Sequence, residues 1–271
     1  MAPATDLPPI IDEAGLAALD AVLLADVRWY LDGADGHAAF VAGHRPGAVW
    51  VDLDSWLASP PTAADGRHPF PPAAVFGEGM RAIGLSDGQP LVAYDDREGV
   101  PASRLVWMLR LIGHPAALLD ARWPPDRVES GEVRVEPGHF TTRSWPVDRL
   151  VDADHAGAAA ASGGVVIDAR AAARYRGETE PIDARAGHIP GAINLEFADN
   201  LVGGRFRSSS ELAARFADVG DAPIVYCGSG VSACHNLLAL ESVGVRGRLY
   251  PGSWSQWSSD PSRDVATGPA D

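Results

Sequence analysis

The sequence contains three blocks that occur twice, in the same order and at nearly constant spacing. The pairs are LLADVRWY (23–30) with VVIDARAAARY (165–175), GHRPGAVWVDLD (43–54) with GHIPGAINLEF (187–197), and PLVAYDDREGVPASRLVWMLRLIG (90–113) with PIVYCGSGVSACHNLLALESVG (223–244). A solenoid would repeat with a far shorter period, so the pattern indicates two copies of one domain. We predict a first domain over residues 1–125, a proline-containing linker over 126–152 and a second domain over 153–271.

Each copy alternates short apolar strand patterns with amphipathic helix patterns. In the second copy VVIDA, PIVY and GRLYPG are typical of strands, whereas SSSELAARFADVG and VSACHNLLALESVG are typical of helices. Ser208 and Glu211 form a capping-box pattern, and Gly244 closes the last of these helices. This alternation predicts the α/β class, with a mainly parallel sheet flanked by helices in each copy. Ligands of such sheets bind beyond the carboxyl ends of the strands.

Composition excludes several classes of function. The net charge of −14 argues against nucleic acid or an anionic membrane as partner. Two cysteines cannot form a disulfide framework, and no apolar run reaches the length of a membrane span, so we expect a cytoplasmic protein. No metal-ligand pattern, P-loop or dinucleotide fingerprint is present, so we expect no metal and no cofactor.

Cys227 lies where the strand pattern PIVY gives way to a helix pattern. Gly228 and Gly230 can adopt backbone angles that let successive N–H groups point at the sulfur, and the helix that starts near Val231 adds the positive end of its dipole. Both effects stabilise a thiolate or another anion built on that sulfur. The alternative is a buried, inert cysteine, which is the role we predict for Cys234.

CGSGVSA, the two GHxPGA elements and GSWSQW (252–257) together resemble the two-domain rhodanese family of sulfurtransferases, over about residues 22–257. The resemblance implies two tandem rhodanese-like domains, of which the second carries the nucleophile. Asp95 stands at the position of the first copy that matches Cys227, so the first domain is expected to be inactive.

The loop after the cysteine resembles that of the 3-mercaptopyruvate sulfurtransferases. Gly228 and Ser229 carry no charge, whereas family members that use thiosulfate have cations there; Ser232 stands where threonine is usual. The resemblance therefore implies transfer of sulfur from 3-mercaptopyruvate through a Cys227 persulfide to a thiol, such as thioredoxin or a small thiol, or to cyanide. Thiosulfate is the alternative donor.

The same resemblance assigns further site residues. Ser229 is expected to work with His68 and Asp54 of the first copy, in a relay that lies between the two copies and puts His68 within hydrogen-bond reach of Ser229. The alternative is that His68 only shapes its Pro-rich loop. Trp29 is expected to form a wall of the site. A GHxPGA histidine, His44 or His188, occurs in each copy, including the one without the cysteine, so both histidines are expected to stabilise turns.

The substrate carboxylate is expected to bind two arginines of the segment ARYRGETEPIDARAGHIPG. Arg174 matches the first. The second follows a Glu-Pro dipeptide in the family, but Ile182 occupies that position here, so Arg176 and Arg185 are candidates. A solvated, purely structural role is the alternative for each.

Two other functions can be compared with this one. A phosphatase or arsenate reductase needs an arginine six residues after the cysteine to hold an oxyanion, and Ala233 stands there. A non-catalytic binding module is typical of rhodanese domains that have lost the cysteine, which this chain retains.

Overall fold

A computed structural model describes residues 7–269 of the chain. The chain divides into two compact units. Unit 1 comprises Met1–Ser59 and Pro71–Trp145, and unit 2 comprises Pro60–Phe70 and Pro146–Asp271. Residues 1–6 and 270–271 of the predicted domains lie outside the described residues. The predicted domain boundaries stay a prediction.

Unit 1 is built on a five-stranded parallel sheet. Its strands are β1 (Ile10–Ile11), β2 (Leu23–Asp26), β3 (Val49–Trp50), β4 (Leu91–Tyr94) and β5 (Ala116–Leu119). They lie in the order β1-β5-β4-β2-β3, with Leu23 opposite Leu91 and Leu91 opposite Ala116. The helices are α1 (Glu13–Ala17), α2 (Gly36–Ala42), α3 (Ala73–Ala82) and α4 (Val100–Leu111), with a π-helical turn at Leu53–Leu57. Every residue of the central strand β4 is buried, as expected for a parallel sheet covered on both faces.

Unit 2 is built on a four-stranded parallel sheet. Its strands are β6 (Val166–Asp168), β7 (Ile193–Asn194), β10 (Ile224–Tyr226) and β11 (Arg248–Leu249), in the order β11-β10-β6-β7. A separate antiparallel pair is formed by β8 (Leu201–Val202) and β9 (Arg205–Phe206). The helices are α5 (Ala153–Ala161), α6 (Ala172–Tyr175), α7 (Ser209–Arg215), α8 (Ser232–Ser242) and α9 (Ser253–Ser259), with a 3₁₀ turn at Phe197–Asn200. Trp254 and Trp257 of α9 pack into the same apolar core as Tyr226 of β10.

The two sheets have the same topology. The order β5-β4-β2-β3 in unit 1 corresponds to β11-β10-β6-β7 in unit 2, and unit 1 adds β1 at its edge. The predicted α/β class with mainly parallel, helix-flanked sheets is therefore confirmed. The predicted capping box is also present, because Ser208 accepts from the Glu211 N–H and the Glu211 side chain accepts from the Ser208 N–H.

A buried Asp-x-Arg pair repeats after the matching strands β2 and β6. Arg28 binds Asp26 and the Gly43 carbonyl, and Arg170 binds Asp168 and the Gly187 carbonyl, the last at 2.6 Å. Each arginine thus fixes the start of its own GHxPGA turn to the end of a central strand.

The two GHxPGA histidines have the structural role that the sequence predicts. The Nδ1 of His44 donates to the Phe40 carbonyl at 2.9 Å, and that of His188 donates to the Tyr175 carbonyl at 2.7 Å. Each imidazole also stacks on the ring of the residue that accepts its hydrogen bond. Both histidines are buried and stabilise local turns.

The segment Pro60–Phe70 lies between β3 and α3 in sequence but belongs to unit 2 by its contacts. The Arg67 N–H donates to the Ser255 Oγ at 3.0 Å, and the Gln256 side chain donates to the Ala64 carbonyl. The sequence assigns this segment to the first domain, and only the contacts with α9 reveal its place in unit 2. Among the helices of residues 7–269, none is long and apolar enough to cross a bilayer.

Candidate active site

Cys227 follows β10 directly and stands five residues before the first residue of α8. Its side chain is buried, and the Gly230 N–H donates to its Sγ at 3.1 Å. The start of α9 holds the backbone on either side of the sulfur. The Cys227 N–H donates to the Ser253 Oγ at 3.2 Å, and the Trp254 N–H donates to the Cys227 carbonyl at 2.9 Å. The sulfur therefore lies at the carboxyl end of a central strand, where parallel sheets bind ligands.

The two loop glycines have different roles. Gly230 has a φ of 78°, in the left-handed region that a side chain penalises. Gly228 is not among the residues with positive φ, so it does not use the backbone freedom expected from the sequence for both glycines. Its lack of a side chain leaves room for Arg67, because a Cβ at this position would lie 3.0 Å from the Nη2 of that arginine. Val231 and Ser232 continue the loop into the helix as the N-cap and first residue of α8.

Ser229 is hydrogen-bonded to a histidine from a distant part of the sequence. Its Oγ lies 2.7 Å from the Nδ1 of His68, and both residues are buried. The sequence predicts this contact, which lies within unit 2. An imidazole can exchange a proton with a hydroxyl at this distance, and the hydroxyl belongs to the second residue after Cys227 in the same loop.

The backbone that carries His68 is fixed against α9. Gly66 has a φ of +92°, and a Cβ there would lie 2.6 Å from the Gly252 carbonyl oxygen and 2.8 Å from the Ser255 Oγ. Only glycine permits such a close approach of two backbones. His68 is therefore presented by an anchored segment rather than by a free loop tip.

Two guanidinium groups lie next to Gly228. Besides Arg67, Arg174 of α6 approaches, with its Nη1 3.5 Å and its Nη2 3.7 Å from the position of a Gly228 Cβ. Asp183 joins them. One of its carboxylate oxygens accepts from the Arg67 Nη1 and the other accepts from the Arg174 Nη2, the latter at 2.9 Å. The carboxyl is only 3% exposed.

These groups belong to a larger network of ion pairs. Glu180 accepts from both Arg174, at 2.7 Å, and Arg170, at 3.2 Å. Three guanidiniums, those of Arg67, Arg170 and Arg174, thus face the three carboxyls of Asp168, Glu180 and Asp183. With every group ionised the network has no net charge.

The pKa values of Asp183 and Glu180 are shifted in opposite directions, although both carboxyls are buried. Burial raises the pKa of Asp183 above its ordinary value, although Arg67 acts in the other direction. Burial also acts to raise the pKa of Glu180, but the hydrogen bonds from Arg174 and from backbone N–H groups outweigh it and hold that pKa below its ordinary value. Asp183 is therefore the member of the pair that takes up a proton more readily.

The structure places the other two candidate arginines elsewhere. Arg176 is paired with Glu178 at 2.7 Å, and both side chains are substantially exposed. Arg185 donates to the carbonyls of Trp257, Ser258, Asp260 and Arg263, at distances between 2.6 and 3.1 Å. Its guanidinium thus caps the carboxyl end of α9. Of the three predicted candidates, Arg174 is the one that lies against the Cys227 loop.

Asp54 and Trp29 belong to unit 1. The Trp29 indole N–H donates to the Asp54 Oδ2 at 3.0 Å, and Asp54 lies in the π-helical turn after β3. This bond fixes the orientation of one carboxylate oxygen. The predicted parts of Asp54 and Trp29 in a site between the two copies stay predictions.

Asp95 occupies in unit 1 the position that Cys227 has in unit 2, since each follows a central strand and stands five residues before a helix. Its carboxylate accepts from the N–H groups of Arg97, Gly99 and Ala102, at 2.7 to 2.9 Å. The same strand-to-helix loop thus forms an anion site in unit 1, which the chain fills with its own side chain.

Comparison with known proteins agrees with this arrangement. A model of the Rhodanese-like domain matches residues 151–260. The SseB protein of Mycobacterium tuberculosis, which bears the name of a thiosulfate sulfurtransferase, is 40% identical over 96% of this chain and 98% of its own length. The 3-mercaptopyruvate sulfurtransferase of Escherichia coli K12 is 34% identical over 81% of this chain and 82% of its own. The crystal structure of SseA from E. coli superposes with a TM-score of 0.78 at 30% identity, covering 92% of this chain and 99% of that one.

This chain belongs to the rhodanese family of sulfurtransferases. The resemblance stated from the motifs is confirmed, and so is the assignment as an enzyme that transfers sulfur. A sulfurtransferase needs a sulfur donor and a sulfur acceptor. In this family the acceptor is in general a thiol or cyanide.

Sequence reasoning missed Arg67, although it selected the residue beside it. In GRHPFP (66–71) the histidine matches the family pattern, whereas the arginine lies far in sequence from the segment in which the family's arginines are expected. One feature of the sequence could have pointed to Arg67: Ile182 stands where the family pattern has an arginine. A missing cation beside an anion site can be supplied by another segment, and GRHPFP was the segment already expected at the site.

Proposed function

We propose that this sulfurtransferase moves sulfur from 3-mercaptopyruvate to a thiol or cyanide through a persulfide on Cys227. The Cys227 thiolate attacks the donor sulfur, an S–S bond forms, and the C–S bond breaks with its electron pair going to carbon. The leaving group is the enolate of pyruvate, which takes up one proton to become pyruvate. An acceptor thiolate or cyanide then attacks the outer sulfur and releases the Cys227 thiolate.

The observation that carries this proposal is the Ser229–His68 hydrogen bond. An enolate leaving group needs a proton, and Ser229, two residues from the nucleophile, can donate one and recover it from His68 at 2.7 Å. Thiosulfate releases sulfite, which is a stable anion and needs no such proton. A hydroxyl–imidazole pair beside the cysteine therefore favours a carbon leaving group.

The Asp95 loop supports the persulfide intermediate. The carboxylate oxygens of Asp95 lie two bonds beyond Cβ, and the outer sulfur of a cysteine persulfide lies the same number of bonds beyond its own Cβ. In unit 1, three backbone N–H groups hold negative charge at that distance. We infer that the matching loop of unit 2 holds the outer persulfide sulfur in the same manner.

The charge balance around the loop supports a monoanionic donor. The linked arginines and carboxyls have no net charge, and Gly228 and Ser229 add none. A compact dianion such as thiosulfate gains most from an excess of positive charge near the sulfur. The single carboxylate of mercaptopyruvate needs only a few well-placed hydrogen-bond donors.

Thiosulfate remains the second candidate donor, favoured by one specific observation. Two guanidiniums lie beside Gly228, and a dianion could draw on both. The name of the M. tuberculosis relative points in the same direction.

The deciding experiment is a pair of kcat/KM values, for 3-mercaptopyruvate and for thiosulfate, with one acceptor thiol at one concentration. We expect the value for mercaptopyruvate to be the larger by at least tenfold. Release of sulfide from mercaptopyruvate, with pyruvate formed in equal amount, identifies the reaction. A larger value for thiosulfate would reject the proposed donor and leave the sulfurtransferase assignment intact.

A further inference from the structure

Arg67 has the position and the open hydrogen-bonding edge of a substrate ligand. Its Nη1 is taken by Asp183, while its Nη2 points toward Gly228, 3.0 Å from where a Cβ would lie. Its Nε is buried and has no hydrogen-bond partner among the residues that the structure describes. The side chain keeps 23% of its surface exposed, so it remains accessible.

Arg174 presents a matching edge to the same point. Its Nε and Nη2 are bound to Glu180 and Asp183, whereas its Nη1 lies 3.5 Å from the Gly228 Cβ position. One nitrogen of each guanidinium therefore converges on the residue that follows the nucleophile. Two such donors can hold one carboxylate with a hydrogen bond to each oxygen.

Asp183 positions both arginines relative to each other. Because each of its oxygens binds a different guanidinium, it fixes the separation of the two groups. Anchoring of the Arg67 backbone N–H on Ser255 sets the other end of that side chain. The pair is thus arranged before any donor binds, which reduces the entropy lost on binding.

We propose that Arg67, together with Arg174, binds the carboxylate of the sulfur donor and so takes the place of the arginine that Ile182 replaces. This inference rests on the proposed function, since it assumes a donor with a carboxylate near its sulfur. In 3-mercaptopyruvate the carboxylate carbon is three bonds from the sulfur, which suits a clamp one residue away from Cys227. Arg67 is then a specificity-determining residue that motif matching assigns to no role.

The test compares 3-mercaptopyruvate with its methyl ester, which has the same reacting group but no carboxylate. Wild type, Arg67→Gln, Arg67→Lys and Arg174→Gln are assayed for pyruvate or methyl pyruvate release with one acceptor thiol. Arg207→Gln is the matched control, because Arg207 pairs with Glu211 on the surface of unit 2. Competitive inhibition by pyruvate gives a second measure of carboxylate binding.

We expect Arg67→Gln and Arg174→Gln each to lower kcat/KM for the acid by roughly ten- to a hundredfold, mainly through KM. The kcat/KM for the ester should stay within about threefold of wild type, and the inhibition constant of pyruvate should rise with the KM. Arg67→Lys should recover part of the loss, since it restores the charge but not the fork of donors. Arg207→Gln should behave as wild type with both donors.

Two results would overturn the inference in different ways. If Arg67→Gln lowered turnover of acid and ester equally, Arg67 would only support the fold, and the proposed function would stand. If wild type did not turn over mercaptopyruvate, the proposed function would fail and the inference with it. Turnover of the ester by a variant also shows that the variant is folded.

Discussion

The Nδ1 of His68 lies 2.7 Å from the Oγ of Ser229, although 161 residues separate them in sequence. The contact exists because Pro60–Phe70 leaves the unit to which its neighbours in sequence belong and packs against α9. The Ser229 hydroxyl, two residues after Cys227, thereby gains an imidazole partner. The proposed function uses this pair for acid–base chemistry and Cys227 as the nucleophile.

We predict that His68→Gln and Ser229→Ala each lower kcat for mercaptopyruvate by about a hundredfold or more, because general acid–base catalysis contributes about 10²–10⁴-fold. The measurement is initial-rate pyruvate release at saturating donor. His155→Gln serves as control, since His155 is an exposed residue paired only with Asp152 in the interactions described. If His68→Gln kept more than a third of wild-type kcat, the imidazole would be structural.

We predict that the two cysteines respond differently to substitution. Cys227→Ser should abolish turnover, and mass spectrometry of the wild type after incubation with donor should show one added sulfur on the peptide containing Cys227. Cys234 is fully buried on α8, where its Sγ donates to the Gly230 carbonyl at 3.3 Å. Cys234→Ser retains a donor at this position and should keep activity within a few-fold. Loss of activity in Cys234→Ser alone would contradict the assignment of the nucleophile.

We predict that Asp183→Asn shifts donor preference toward thiosulfate. The change removes one negative charge from a network that is otherwise balanced, so it favours the dianion, and it loosens the arrangement of Arg67 and Arg174 that suits a carboxylate. The ratio of kcat/KM for thiosulfate to that for mercaptopyruvate should rise at least several-fold. Glu178→Gln, which removes a charge from an exposed pair with Arg176, should leave the ratio unchanged. An unchanged ratio in Asp183→Asn would show that this carboxyl does not control donor charge.

Much of the fold follows from the sequence because its determinants are local. Alternating apolar runs, the capping box at Ser208 and the turn at Gly244 each lie within one element, and the element then forms where expected. The duplication in the sequence corresponds to two sheets with matching strand order, an order that the structure provides. Cys227 could be predicted as the nucleophile for the same reason as the local elements, since its loop is continuous in sequence, and that role stays a prediction.

The rest of the site depends on contacts that no local pattern encodes. Arg185 matches the expected segment, yet it binds four carbonyls at the end of α9, because the fold brings that helix end to it. Arg67 lies outside the expected segment, yet it reaches Gly228 through an anchored stretch of unit 2. Both results require the tertiary packing of α9, whose position cannot be read from spacing.

The titration of Asp95 tests, without any assay of catalysis, how well the strand-to-helix loop of unit 1 stabilises an anion. Burial raises its pKa from an ordinary value of 3.8 to about 6, even though the N–H groups of Ala102, Arg97 and Gly99 act to lower it. The folded protein therefore binds this proton more tightly than the unfolded chain does. The stability contributed by this group is complete below about pH 4 and is lost as the pH rises toward 6.

We predict that Asp95→Asn removes this pH dependence from unit 1. The difference in free energy of unfolding, wild type minus variant, should fall by about 2 kcal/mol between pH 4 and 7, since one pKa unit corresponds to about 1.4 kcal/mol and the unfolded carboxyl is already partly ionised at pH 4. The variant should be the less stable at pH 7, because its amide NH₂ faces a backbone N–H where the carboxylate accepted a hydrogen bond. Urea unfolding followed by circular dichroism at several pH values measures both effects, and carbon NMR of the Asp95 carboxyl gives its pKa directly.

Glu178→Gln again serves as the control. A difference that stays constant over this pH range, with a carboxyl pKa near 4, would show that the backbone N–H groups outweigh burial and that the loop of unit 1 holds a fully ionised anion.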